Sequence, residues 1–158
     1  MIDSLDRTDR RILNILQAEG GISNVELARR VQLAPATTLE RVRKLRNQGF
    51  ITRTVALVDP DKVGQSTVAF VSVSLTQHGA DKVEAFRREV ENLPQVMECY
   101  HITGDSDFLL KIVASDIGAY ESFLLEEFGQ IAHIGRIHTS FVLSTVKHGT
   151  QVPIPSGE

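Results

Sequence analysis

The sequence predicts an α+β chain built in two parts: three helices first, then a unit with the element order βαββαβ. Three observations carry that prediction. Charge divides along the chain: residues 1–53 hold 10 Lys and Arg against 6 Asp and Glu, and residues 54–158 hold 7 against 14, within a net charge of −3. Apolar residues recur at helical spacing as far as Leu45, and beyond Ile51 alternating stretches take turns with helical ones. Breakers stand at the junctions, among them Gly20-Gly21, "DPDKVG" at 59–64 and Pro94.

The first helix is predicted over Asp6–Ala18, with Leu5, Ile12, Leu13 and Leu16 on its apolar side. Ser23 followed by Glu26 is a capping box, so a second helix starts near Asn24 and faces inward through Leu27, Ala28 and Val31. "QLA" at 32–34 is a tight turn. Pro35 suits the first position of a third helix, where a missing N–H costs nothing, and Gly49 suits its C-terminal cap. Leu39, Val42 and Leu45 are expected to face inward. Ile51 to Val58 alternates as a strand does.

The third helix carries Arg41, Arg43, Lys44 and Arg46 within six positions of an acidic protein. At 100° per residue Thr37, Arg41 and Lys44 share an arc. Pro35, Ala36, Thr37 and Thr38 leave little bulk at the leading end, which lets a helix approach base edges in a major groove. Arg41, Arg43 and Lys44 would then meet phosphates or guanine. A charge run alone is usually a solvated face. The capped second helix, the short turn and the Pro-started basic helix together predict a winged helix-turn-helix unit that binds double-stranded DNA.

In the second part Val68–Leu75 reads as a strand and Asp81–Asn92 as a helix. Val96–Thr103 and Asp107–Ala114 are strands joined around Gly104-Asp105. Asp116–Phe128 is a helix and Ile134–Val146 a final strand. The order predicts a ferredoxin-like sheet with both helices on one side. The other side is expected to carry Phe70 and Phe108, too apolar to stay in water, so a second sheet should cover it in a homodimer. The expected domains are therefore 1–53 for DNA binding, 54–66 as a linker strand, 67–148 as the ferredoxin-like unit and 149–158 as a flexible tail.

Several functions are not expected. No apolar run approaches a membrane span, and "MIDSLDRTDRR" lacks a secretory h-region, so the chain reads as cytoplasmic. Cys99 has no cysteine partner and is expected as a buried, inert thiol. The five His are scattered, which argues against a metal site. No nucleophile elbow, P-loop, GxGxxG or HExxH occurs, so neither catalytic residues nor a cofactor are expected.

The stretches "LDRTDRRIL", "ISNVELARRVQLAP", "TLERVRKLRNQGFI", "VALVDPDKVG" and "GDSDFLLK" occur in the order and spacing of the leucine-responsive regulatory protein/AsnC family of transcription regulators, which the chain resembles from about residue 5 to 147. Ala34 stands where that family usually has a Ser N-cap. The resemblance implies dimers that assemble to octamers, a roughly palindromic operator and a free amino acid as effector. It places the effector at the loop holding Thr103, Gly104, Asp105, Asp107 and Phe108, with His138, Thr139, Ser140 and Phe141 of the last strand opposite. An Asp would accept from the ligand's ammonium, and backbone N–H groups around Gly104 would hold its carboxylate. Leucine or methionine is the expected effector, although leucine-responsive members tend to have an aromatic where Ser140 stands. Two alternatives remain open on sequence. "TGDSD" also suits a plain hairpin turn, and the protein could be an architectural DNA-binding protein without an effector.

Overall fold

The computed structural model describes residues 5–77 and 79–155. Residues 1–4 of the expected first domain, His78, and 156–158 of the expected tail lie outside them. The chain divides into two compact units, one spanning residues up to Leu57 together with those from Lys147 onward, the other Val58–Val146.

The first unit holds α1 (Arg7–Ala18), α2 (Asn24–Val31) and α3 (Pro35–Asn47). Asp6 caps α1, its carboxylate accepting from the Asp9 N–H at 2.7 Å. Ser23 caps α2 by accepting from the Glu26 N–H. Only half of the expected capping box forms, because the Glu26 carboxylate turns instead to Arg29 and Arg30. Gln32 ends α2 in the left-handed conformation at φ 59°, which turns the chain into α3. Ala34 has N-cap backbone geometry but offers no side-chain acceptor. Ile12, Leu13, Leu27, Val31, Val42 and Leu45 form the core.

Two expectations for this unit change. Residues 51–58 join no ladder, and Val55, Leu57 and Val58 are exposed. Alternation marks a chain able to pair, and no partner strand reaches these residues. The tail is not a free end over residues 149–155, because Ile154 packs against the first unit's core and Val152 bonds Gln17.

The second unit holds β1 (Thr67–Leu75), α4 (Ala80–Glu91), β2 (Val96–His101), β3 (Phe108–Ala114), α5 (Ile117–Glu126) and β4 (Ile134–Phe141). The sheet order is β2-β3-β1-β4, and every adjacent pair is antiparallel. This is the ferredoxin-like arrangement. Ala69, Val71, Val73 and Leu75 of β1 and Phe108, Leu110, Ile112 and Ala114 of β3 are buried with Phe86, Val90, Tyr120 and Phe123 of α4 and α5. β4 stops five residues short of its predicted end, its ladder with β1 ending at the Ala69–Phe141 pair and a last bond from the Val142 N–H to the Val68 carbonyl, near the start of β1.

The register corrects the expected bare face. Phe70 pairs with Lys111 and Ser140 on the side away from the helices, whereas Phe108 pairs with Val73 on the helix side. Phe108 is wholly buried, its ring 4.5 Å from that of Phe86. The open face instead carries Phe70, Leu109 and Tyr100, together with a Lys111–Glu98 pair at 3.2 Å. Cys99 lies exposed on edge strand β2 rather than buried; partial desolvation still pushes its thiol pKa up.

Candidate DNA-binding and effector sites

Burial on α3 sets which side chains can meet DNA. Thr38, Val42 and Leu45 face the core. Thr38 is wholly buried, and its hydroxyl donates to the Ala34 carbonyl at 3.1 Å. Thr38 therefore cannot read a base, and Leu39, expected inside, is 39% exposed in its place. The opposite face presents Ala36, Glu40, Arg43 and Asn47 at i, i+4, i+7 and i+11, flanked by Thr37 and Lys44, all exposed. Pro35 leads the helix and is also exposed.

Arg41 lies outside this stripe. Its Nη1 donates to Asp6 Oδ2 at 2.6 Å and to Asp9 Oδ1 at 2.8 Å, both on or capping α1. The bonds to Asp6 and then Asp9 hold the guanidinium's proton more tightly than usual. Partial burial opposes the ionisation of Asp6, but the Asp9 N–H and Arg41 outweigh it and keep its carboxyl below the usual range. The expected base-reading arginine is thus a clamp between α1 and α3, whereas Arg43 and Lys44 stand exposed.

The loop between β2 and β3 is framed from three sides. The Ser74 hydroxyl and Arg136 Nη2 each donate to the Asp105 carbonyl at 3.2 Å. The Leu75 N–H donates to Asp107 Oδ2 at 2.7 Å, where β1 shifts register against β4. Asp107 thereby anchors the strand end with a carboxylate oxygen expected to meet a ligand. Gly104 has φ +118°, a conformation that side chains rarely adopt, and no atom lies within 4 Å of where a Cβ would stand. Thr103 and the Asp105 side chain are exposed beside it.

The last-strand candidates divide by face. His138 and Ser140 lie on the open face with Arg136, opposite Ser72 and Phe70 of β1. Thr139 faces the helices, its Oγ1 2.5 Å from the Tyr120 hydroxyl, and Phe141 meets the Tyr120 ring edge-on at 5.1 Å. Of the nine expected effector residues, Thr103, Gly104, Asp105, His138 and Ser140 are exposed and clear of the core. Asp107, Phe108, Thr139 and Phe141 are engaged in framing the fold. Ser140 stands four residues beyond Arg136, roughly 13 Å along the strand, so one chain does not bring it to the loop. Cavities of about 430 and 540 Å³ open on the unit; the second is lined by Phe108 of the expected effector residues, with His101 and Cys99, and neither is lined by residues 102–107.

Two family patterns match the chain: a winged helix-turn-helix DNA-binding domain over residues 5–52 and the Lrp/AsnC ligand binding domain over residues 68–152. The protein belongs to the Lrp/AsnC family. It is 41% identical over 150 residues to the leucine-responsive regulatory proteins of Escherichia coli K12 and Salmonella typhimurium, covering 95% of this chain and 92% of theirs. Among solved structures it is similar to a transcriptional regulator from Neisseria meningitidis in complex with L-Met, with TM-score 0.90, 35% identity, and 95% and 97% of the two chains covered. It is likewise similar to an AsnC family transcriptional regulator from Agrobacterium tumefaciens, with TM-score 0.89, 35% identity, and 94% and 97% covered.

This Lrp/AsnC protein is accordingly a DNA-binding transcription regulator with a ligand-binding domain, and its family are regulators rather than enzymes. Among the described residues no helix is long and apolar enough to cross a membrane, and no three His, Cys, Asp or Glu stand close enough to hold a metal ion. Two residues, Asn47 and Arg136, do not stand out in the sequence. Asn47 completes the exposed stripe of α3 with Ala36, Glu40 and Arg43, which counting outward from buried Val42 and Leu45 shows. Arg136 reaches the loop around Gly104 across β1, and only the strand register reveals that.

Proposed function

We propose that this regulator binds a roughly palindromic operator as a homodimer, further assembled to an octamer, in the cytoplasm, and that a free amino acid, leucine or methionine, modulates that binding. The loop around Gly104 carries the reading. It is held by bonds from Ser74 and Arg136 to the Asp105 carbonyl, is open where a side chain would stand, and has an exposed carboxylate and a guanidinium close at hand. A zwitterion needs that pairing. The Asp105 carboxylate would accept from the ammonium, Arg136 and backbone N–H groups would hold the carboxylate, and His138 would line the pocket. Pro35, Ala36, Thr37, Arg43 and Lys44 would contact the DNA. The L-Met complex of the Neisseria meningitidis relative supports an amino acid of this kind.

Oligomerisation completes the proposal. The open sheet face carries Phe70, Leu109 and Tyr100, and a ligand at the loop would need an apolar wall. A second copy would supply both a cover and a wall. A thermal-shift screen of the common amino acids tests the reading, because a ligand that binds only the native state raises the melting temperature. Leucine or methionine should raise it and change operator affinity. If no amino acid moves the melting temperature, the protein acts on DNA without an effector, as an architectural protein does.

A further inference from the structure

Residues 152–155 run along one face of α1. Val152 makes a two-way bond with Gln17: its N–H donates to Oε1 at 2.7 Å, and its carbonyl accepts from Nε2 at 3.1 Å. Ile154 packs on the core of the helical unit. Arg10 Nη1 donates to the Pro155 carbonyl. Arg10 and Gln17 are seven residues apart on α1, hence on one face and about 10.5 Å apart along its axis. Val152 to Pro155 is three residues of extended chain, about 10 Å. The two spacings match, so the strap lies flat along two turns of helix without a bulge. Pro153 and Pro155 flank Ile154 and restrict the free chain, which lowers the entropy lost when it docks.

The helix it holds is the one that holds α3. Asp6 and Asp9, at the start of α1, are the two partners of Arg41. Fixing α1 therefore fixes the platform on which the DNA-contacting stripe stands. The strap itself has no cation, since residues 149–158 read "GTQVPIPSGE". It can add no ion-paired phosphate contact, so an effect on DNA binding that leaves the salt slope unchanged points to α1.

We propose that residues 149–155 are a positioning segment for DNA recognition, a strap that holds α1 and thereby the recognition helix in its binding geometry. The test compares the full chain with a deletion of residues 149–158, with Ile154→Asp, with Gln17→Ala, and with the conservative Ile154→Leu. Amide hydrogen exchange reports on α1, and operator titrations at several salt concentrations report on binding. In the deletion, in Ile154→Asp and in Gln17→Ala, α1 amides should lose protection. If the competent population falls to about a tenth, operator affinity should drop by roughly tenfold. The log–log salt slope should stay at its wild-type value, because no phosphate contact is removed. Ile154→Leu should restore both readouts. Unchanged α1 protection would overturn the proposal. So would lost protection with unchanged operator affinity, and so would a shallower salt slope, which would make the segment a DNA contact.

Discussion

Arg41→Ala should unfold the DNA-binding unit more readily, and weaken DNA binding only through that. The Asp9 side chain is 7% exposed, that of Arg41 32% and that of Asp6 52%. Breaking a buried ion pair by removing one partner costs about 3–5 kcal/mol, because it strands a charge. An exposed pair contributes about 0–1 kcal/mol. The Asp9 contact lies nearer the first case, but water reaches a third of Arg41 and screens it. The Asp6 contact belongs to the second case. Together they give about 2–3 kcal/mol. For a unit of this size that lowers the melting temperature by about 10–20 °C. Circular dichroism melts and urea titrations measure it. Adding Asp9→Asn to Arg41→Ala removes the stranded charge and should recover about 1 kcal/mol or more. A variant that melts within 2 °C or so of wild type while losing operator affinity would refute this reasoning and return Arg41 to the DNA surface.

Arg43→Ala and Lys44→Ala should each weaken operator binding at unchanged melting temperature and reduce the log–log salt slope by about 1, read by titration at several salt concentrations. Ala34→Ser should stabilise the unit by about 1 kcal/mol in urea unfolding, because Ala34 has N-cap geometry and no acceptor. Acid should destabilise the same unit. Glu26 is held down to about 2, first by Arg29 and then by Arg30, and Asp6 lies below its usual value, so both contribute stability above their unfolded pKa values and lose it as pH falls through the folded ones. Urea midpoints should therefore fall between about pH 4.5 and 2, and a flat profile there would contradict these pairings. Asp107→Ala should cost the ligand-binding unit about 1–3 kcal/mol by leaving the Leu75 N–H without its acceptor, whereas Asp105→Ala should leave melting unchanged and weaken amino-acid binding in calorimetry.

Element types were legible because each rests on local signals. Ser23, Pro35 and Gly49 punctuate the helices, and alternation marks β1 and β3. The phase of α3 was less so. Leu39 is the better hydrophobe, yet Thr38 takes the buried position, because its hydroxyl satisfies itself on the Ala34 carbonyl and its methyl can then pack. That shift of one residue moves Arg41 from the DNA face to the shoulder above α1. Sequence alone cannot show it, since Asp6 and Asp9 lie more than thirty positions away. The strand at 51–58 failed for the converse reason: pairing needs a partner, and a periodic pattern does not say whether one exists.

The effector residues divide by the same logic. A strand's period of two says that Arg136, His138 and Ser140 share a face and that Ile137, Thr139 and Phe141 share the other. It does not say which face meets the helices. Tyr120 decides that, by reaching Thr139. In the loop, carboxylates that serve a ligand and carboxylates that serve a turn look alike in sequence. What separates them is whether the fold has already given them a donor. The Leu75 N–H reaches Asp107, while the Asp105 side chain stands exposed beside Gly104 and is held in place through its own backbone by Ser74 and Arg136. The loop is thus held through its backbone and through Asp107, which leaves the exposed Asp105 carboxylate as the group that would meet the proposed zwitterion with little reorganisation.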